Sequence, residues 1–179
     1  MIAENLPGFT FRPVTAGDIP TVVEFRTRMF RELGWQDEPR LIAVEPLFAA
    51  YLEESLPSGD CSGWIAEHVN TAGTLRPAGT VVLVWQRVPP TVRNLAGVQA
   101  YALGMYVVPE LRRRGVARTL MARSIDCAAE RGVSLITLHA SDLGAPLYER
   151  LGFTLTSEMR LFTENAPPSA WGGADESSD

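Results

Sequence analysis

Between Val98 and Ala140 the sequence changes its hydrophobic period twice, and this limits the available folds more than any other feature. "VQAYALGMYVVP" is largely apolar and predicts a strand ending at Pro109. Gly104 inside it marks a bulge or a close backbone approach. "ELRRR" then turns, and Gly115 opens the strongest helical pattern in the chain, 115–131. Ala117, Leu120, Met121, Ser124, Ile125 and Ala128 share one face of it, with Thr119, Arg123, Asp126 and Glu130 opposite. "VSLITLHA" follows as a short apolar run, a predicted buried strand. This strand–helix–strand crossover implies a mixed sheet carrying packed helices.

The flanking segments fit that frame. "FTFRPVT" alternates briefly and predicts an edge strand. "TAGD" is a capping pattern before a helix with apolar positions Ile19, Val22, Val23, Met29, Phe30 and Leu33, closed by Gly34. "LIAVEPLFAAYLEESLP" predicts a second helix, interrupted by Pro46 and stopped by Pro57. "CSGWIAEH" and "AGTVVLVWQRV" form a predicted hairpin around "NTAGTLRP". "APLYERLGF" is a short helix closed by Gly152, and "TLTSEMRLFT" a last strand. The predicted class is α/β, or α+β with a mixed sheet.

The chain has 179 residues, 46% of them apolar and 21% charged, which suits one domain over 1–163. The Pro/Gly-rich acidic stretch 164–179 is expected to be a disordered tail. No run approaches the ~18–20 apolar residues of a membrane span, and "MIAENLPGFTFRP" has no secretory pattern. A cytoplasmic location with no membrane partner is expected. Cys61 and Cys127, with two histidines in the chain, show no metal-like spacing, so no metal is expected. All sixteen basic residues are arginine, yet the net charge is −5. That balance disfavours general nucleic-acid binding and makes the local basic turn a feature of one site.

Three arginines directly before a helix allow two readings, a solvated basic cap or an anion site. Charge runs alone favour the cap. The strand before the turn and the glycine at its end favour the anion site. The first turn of a helix has unpartnered amides and the positive end of the dipole, glycine admits a ligand to the backbone, and guanidinium forks add bidentate donors. The turn lacks the GKS or GKT of a Walker loop and the glycine set of a dinucleotide fingerprint. It matches Q/R-x-x-G-x-G/A as Arg112, Arg113, Arg114, Gly115, Val116 and Ala117.

"YVVPELRRRGVARTLM" combined with "LHASDLGAPLYERLGF" resembles the GNAT superfamily of N-acyltransferases, specifically over 101–153. The resemblance implies a twisted mixed sheet of about six or seven strands flanked by about four helices, splayed at the cofactor site. It implies acetyl-CoA as cofactor, with backbone groups around Met105, Tyr106 and Val107 facing the pantetheine arm. Arg112 to Ala117, with Arg118, would hold the pyrophosphate. Ser141 would lie near the pantetheine, where many relatives have asparagine. Tyr148 aligns with the general acid that protonates the departing thiolate, and Phe153 with a packing position. The implied reaction is N-acetyl transfer to a primary amine by direct attack through a tetrahedral intermediate. A phenol, with an ordinary pKa near ~10, can donate to a thiolate at neutral pH.

Histone-type members have a glutamate base eleven positions before the first motif residue, where this chain has Tyr101. Glu32, Glu67 and His139 are the alternatives, with Glu32 favoured because the first helix often lines the acceptor cleft. "RMFRELGWQDEPR" is the candidate acceptor wall, whose aromatic and acidic residues would suit a cationic amine. It reads equally well as a partly exposed helix connection. The expected partner is a small-molecule or peptide amine, and a homodimer is compatible with the fold. Competing readings are a non-catalytic CoA-binding module, and an acyltransferase using a longer acyl-CoA or an O-acceptor.

Overall fold

The structure is a computed structural model that describes residues 6–70 and 72–162. Five strands form one sheet in the order β1 (Phe9–Pro13), β2 (Cys61–Val69), β3 (Leu75–Arg87), β4 (Val98–Val107), β5 (Ile136–Leu138). The first three pairings are antiparallel and β4–β5 is parallel. The single predicted crossover, through helix α3 (Val116–Glu130), supplies that parallel pair.

Helices α1 (Ile19–Glu32) and α2 (Glu38–Ser58) cover one face. Val22, Phe48 and Leu52 pack there on Ile65 of β2 and Val82 of β3. Helices α3 and α4 (Ala145–Arg150) cover the other face, where Val116, Leu120, Met121 and Tyr148 meet Val81, Leu83, Ala100 and Ala102. The outcome is a three-layer mixed α/β fold with four α-helices among the described residues.

Three local expectations change. The predicted last strand, 154–163, does not form over 154–162, and the described sheet has five strands, not six or seven. Leu155 and Met159 are each 97% exposed, so the alternating residues of this segment have no face to bury against. Thr163 and the predicted tail 164–179 lie outside the described residues. Helix α2 continues through Pro46 and ends at Ser58, one residue past Pro57. Pro46 and Ile42, whose carbonyl loses its partner, are both exposed, so water can take that carbonyl. Thr119, expected on the outer face of α3, is buried.

The sheet is opened by two irregularities. β4 pairs with β5 only over Ala100–Ala102, opposite Ile136–Leu138. Beyond Ala102, β4 keeps β3 on one side and, among the described residues, has no strand on the other. On the β3 side the register shifts between Thr80 and Val82, opposite Gly104 at φ 63°. This bulge inverts the alternation of side chains. Leu103 packs toward α1 and α2, Met105 and Val107 toward α3, and Tyr106 returns to α1 against Phe25.

Candidate active site

The turn between β4 and α3 has an unusual backbone. Arg112 is extended at φ −67°, Arg113 is left-handed at φ 62°, and Gly115 is left-handed at φ 90°. Arg113 is the one non-glycine residue with positive φ among the described residues. Dihedrals of alternating sign curl a backbone so that successive N–H groups converge. Among the described residues, no acceptor takes the amides of Arg113, Arg114, Gly115, Val116, Ala117 or Arg118, and Thr119 N is the first to bond back, to Gly115 O. A Cβ at Gly115 would meet only Leu6 side-chain atoms, the nearer at 3.6 Å, so the glycine is required by φ and not by crowding.

The three arginines divide. Arg112 turns back from the loop: its Nε donates to Val107 O at 2.8 Å and its Nη2 to Oε2 of Glu32 at 2.5 Å. Its guanidinium also lies over the Tyr106 ring. Arg113, Arg114 and Arg118 are exposed, and among the described residues they form no ion pair or side-chain hydrogen bond. A cleft of about 380 Å³ between α3 and α4 is lined by Arg118, Leu147, Arg150 and Leu151. The residues present therefore fit a diphosphate: unpartnered amides at a helix N-terminus, with uncommitted cations around them.

Tyr148 on α4 is buried, with its ring 5.8 Å from Phe153 in an edge contact. Burial raises its pKa, which keeps the phenol protonated and able to donate. Gly144 makes room for it, since a Cβ there would lie 3.1 Å from Cε2 of Tyr148 and 3.3 Å from Ser141 Oγ. The Ser141 hydroxyl accepts from Gly144 N, and its carbonyl accepts from the amides of Gly144 and Ala145. Ser141 thus shapes the entry to α4, and its hydroxyl proton remains available to a ligand.

On the opposite face, the Glu32 carboxylate accepts from Tyr106 Oη at 2.8 Å as well as from Arg112. Burial pushes its pKa up, but the Tyr106 and Arg112 hydrogen bonds and the nearby charges of Arg112 and Arg28 outweigh this and hold it below the ordinary value. Glu67 is bound to Arg12, which also grips Asp18. His139 is differently placed. It follows β5, and its Nδ1 lies 2.5 Å from Tyr101 Oη.

The expected acceptor wall is less acidic than its sequence. Asp37 caps α2 by accepting from Arg40 N, and Glu38 pairs with Arg31. Phe30 and Trp35 meet edge to face at 5.9 Å. Arg26, which the sequence reading passed over, lies between Phe30 and Phe48 at 4.8 and 4.3 Å from their centroids. Arg150 and Gly144 were also missed. Both depend on how α4 packs, and no local pattern marks them.

A mixed sheet that splits beside a helix N-terminus with unpartnered amides fits the class of CoA-thioester acyltransferases. The chain belongs to the GNAT acetyltransferase family: the Acetyltransferase (GNAT) domain profile matches residues 60–155. It is similar to a GCN5-related N-acetyltransferase from Ralstonia eutropha, at 33% identity and TM-score 0.78 over 88% of this chain and 99% of that one. It is also similar to a predicted acetyltransferase with acetyl-CoA from Clostridium acetobutylicum, at 28% identity and TM-score 0.77 over 87% and 96%. The fold is shared with glucosamine-6-phosphate N-acetyltransferase of Arabidopsis thaliana, at 18% identity and TM-score 0.63 over 87% of this chain and 98% of that one. No curated protein matches the chain. No described helix is long and apolar enough to cross a membrane.

Proposed function

We propose that this protein is an acetyl-CoA-dependent N-acetyltransferase acting on a primary amine of a small molecule or peptide. The observation that carries the reading is the run of unpartnered amides from Arg113 to Arg118, beside a strand edge left open after Ala102. The amides, with Arg113, Arg114, Arg118 and Arg150, would hold the phosphates. The open edge of β4 around Met105 to Val107 would face the pantetheine. Val107 O is already shared with Arg112, so the groups before it are the more available ones. Bound there, acetyl-CoA supplies an activated acyl carbon.

Tyr148, kept neutral by burial, would donate a proton to the departing sulfur. Glu32 is reassigned. Its ion pair and lowered pKa make it a weak proton acceptor, and its role is to hold Arg112 and the start of the turn against α1. Calorimetry with acetyl-CoA, followed by assay of CoA release with a panel of amines, tests the proposal. Binding without release for any amine would instead support the non-catalytic module, the reading that the committed Glu32 carboxylate favours. Mass spectrometry of the product separates N- from O-transfer and identifies the acyl length.

A further inference from the structure

With Glu32 and Glu67 both committed elsewhere, the amine lacks an obvious proton acceptor. One hydrogen-bonded chain remains at the split. Tyr101 Oη lies 2.5 Å from His139 Nδ1, and His139 Nε2 lies 3.2 Å from Glu158 Oε1. Arg160 Nε donates to that same oxygen at 2.9 Å. One tautomer satisfies every contact: Tyr101 donates to Nδ1, and Nε2–H donates to Glu158.

The chain is also suitably located. Tyr101 lies in the last paired stretch of β4, one residue before the strands part, and His139 directly follows β5. Tyr101 shares its side of the strand with Leu103, which packs toward α1 and α2. Tyr148 packs on the α3 face. The two phenols thus approach the split from opposite faces of the sheet. The inner end at Tyr101 is half-buried, whereas His139 and Glu158 are exposed.

We propose that Tyr101, His139 and Glu158 form a proton relay that carries the acceptor amine's proton from the split in the sheet to solvent. This rests on the acetyltransferase reading above. As the amine nitrogen bonds to the acetyl carbon, one N–H proton passes to Tyr101 Oη while the Tyr101 proton passes to His139 Nδ1. The imidazolium is held by Glu158 and releases a proton to water. The electron pair of the breaking C–S bond goes to sulfur, which takes a proton from Tyr148, and Tyr148 recovers one from water. No proton is gained or lost overall, and no oxidant or reductant is needed. Tyr101 is the catalytic residue of the relay, and His139 and Glu158 act through it.

The charged groups facing Tyr101 are Arg26 from α1, with Glu158 and Arg160 from the segment after α4. Burial raises the Tyr101 pKa, Arg160 and Arg26 oppose this, and Glu158 adds to it. The net upward shift keeps Tyr101 protonated, as a relay requires.

Two readouts on the full chain test the relay. The first needs no turnover: nitrogen NMR of the neutral His139 ring in the free protein should show the tautomer with Nε2–H and an accepting Nδ1, a signature shifted in Tyr101→Phe and lost in His139→Gln. Its absence from the native protein overturns the relay. The second is the pH dependence of kcat/KM for acetyl transfer to butylamine, glycinamide or a short peptide. Tyr101→Phe and His139→Gln should each lower kcat/KM by about 100-fold near neutrality, with acetyl-CoA affinity held within about twofold. Glu158→Gln should lower it less, and added imidazole should partly restore His139→Ala. A pH-independent loss without imidazole rescue, or native kinetics in Tyr101→Phe, reduces the chain to a strand staple and overturns the proposal. Acetyl-CoA binding with no transfer to any amine removes the acetyltransferase reading and the relay's role together, while the His139 tautomer signature still reports whether the contact exists.

Discussion

At the scale of single residues, the site depends on where each side chain is already committed. Tyr148 is uncommitted in this sense, being buried for donation and fitted against Gly144 and Phe153. Tyr148→Phe should lower kcat by about 100-fold with little change in acetyl-CoA affinity. Gly144→Ala should lower kcat in the same direction, because the added methyl presses on the phenol ring and on Ser141. Steady-state kinetics checks both, and an unchanged kcat in Tyr148→Phe removes it from the mechanism. Glu32 is the opposite case. Glu32→Gln keeps an acceptor for Tyr106 and loses the ion pair to Arg112, which is about 41% exposed on both sides. Stability should fall by less than about 1 kcal/mol. Acetyl-CoA affinity should weaken severalfold, because the turn loses its anchor to α1. The pH profile of kcat should stay in place, since a base would have shifted it. The sequence could nominate Glu32 by its helix, but not its pairing with Arg112, which lies eighty positions away.

At the scale of elements, the turn at 112–115 concentrates backbone strain where the proposed phosphate site lies. Its two left-handed residues carry different side chains, and so respond oppositely to substitution. Gly115→Ala should cost about 1–2 kcal/mol and weaken acetyl-CoA binding. Arg113→Gly should leave stability unchanged or raise it by up to about 1 kcal/mol, as relief of strain is offset by a more flexible unfolded chain. Urea denaturation with calorimetry separates these outcomes. A second element-scale device ties β1 to β2 and to the entry of α1. Arg12 grips Asp18 and Glu67, and Asp18 also accepts from Thr15 N. The Arg12 fork, with the Thr15 hydrogen bonds, outweighs burial and lowers the Asp18 carboxyl to about 2. Because the folded value lies below the unfolded one, this contribution is complete above about pH 4 and fades as pH falls toward 2. Asp18→Asn should therefore destabilise by about 1–2 kcal/mol at neutral pH, with Arg12's partial exposure discounting the shift. The difference from the native protein should shrink in acid, as thermal denaturation across pH would show. The "TAGD" capping pattern was legible because it is local. Its coupling to β2 was not, because the Glu67 partner arrives through sheet pairing.

At the scale of the whole molecule, a chain of net charge −5 must attract an anion through a local patch. Acetyl-CoA affinity should fall severalfold as ionic strength rises toward roughly 0.5 M, and Arg118→Ala should flatten that dependence. Titration calorimetry at graded salt measures both. The crossover, the amphipathic α3, the hairpin and the anion turn were legible because each is written in a contiguous period or a fixed local spacing. The missing last strand was not, since alternation states what a segment could bury and only its neighbours determine whether a face exists. Sequence by itself determined the mixed α/β class, the family resemblance and the glycine-closed arginine turn between strand and helix. Tertiary structure alone decided that Arg112 serves Glu32 and not the loop, that a bulge at Gly104 sends Tyr106 to α1, and that Tyr101 meets His139 at the split. The reason is physical: local patterns fix backbone conformation, whereas proton acceptors and ion pairs are chosen among groups that only the packed sheet brings within hydrogen-bond reach.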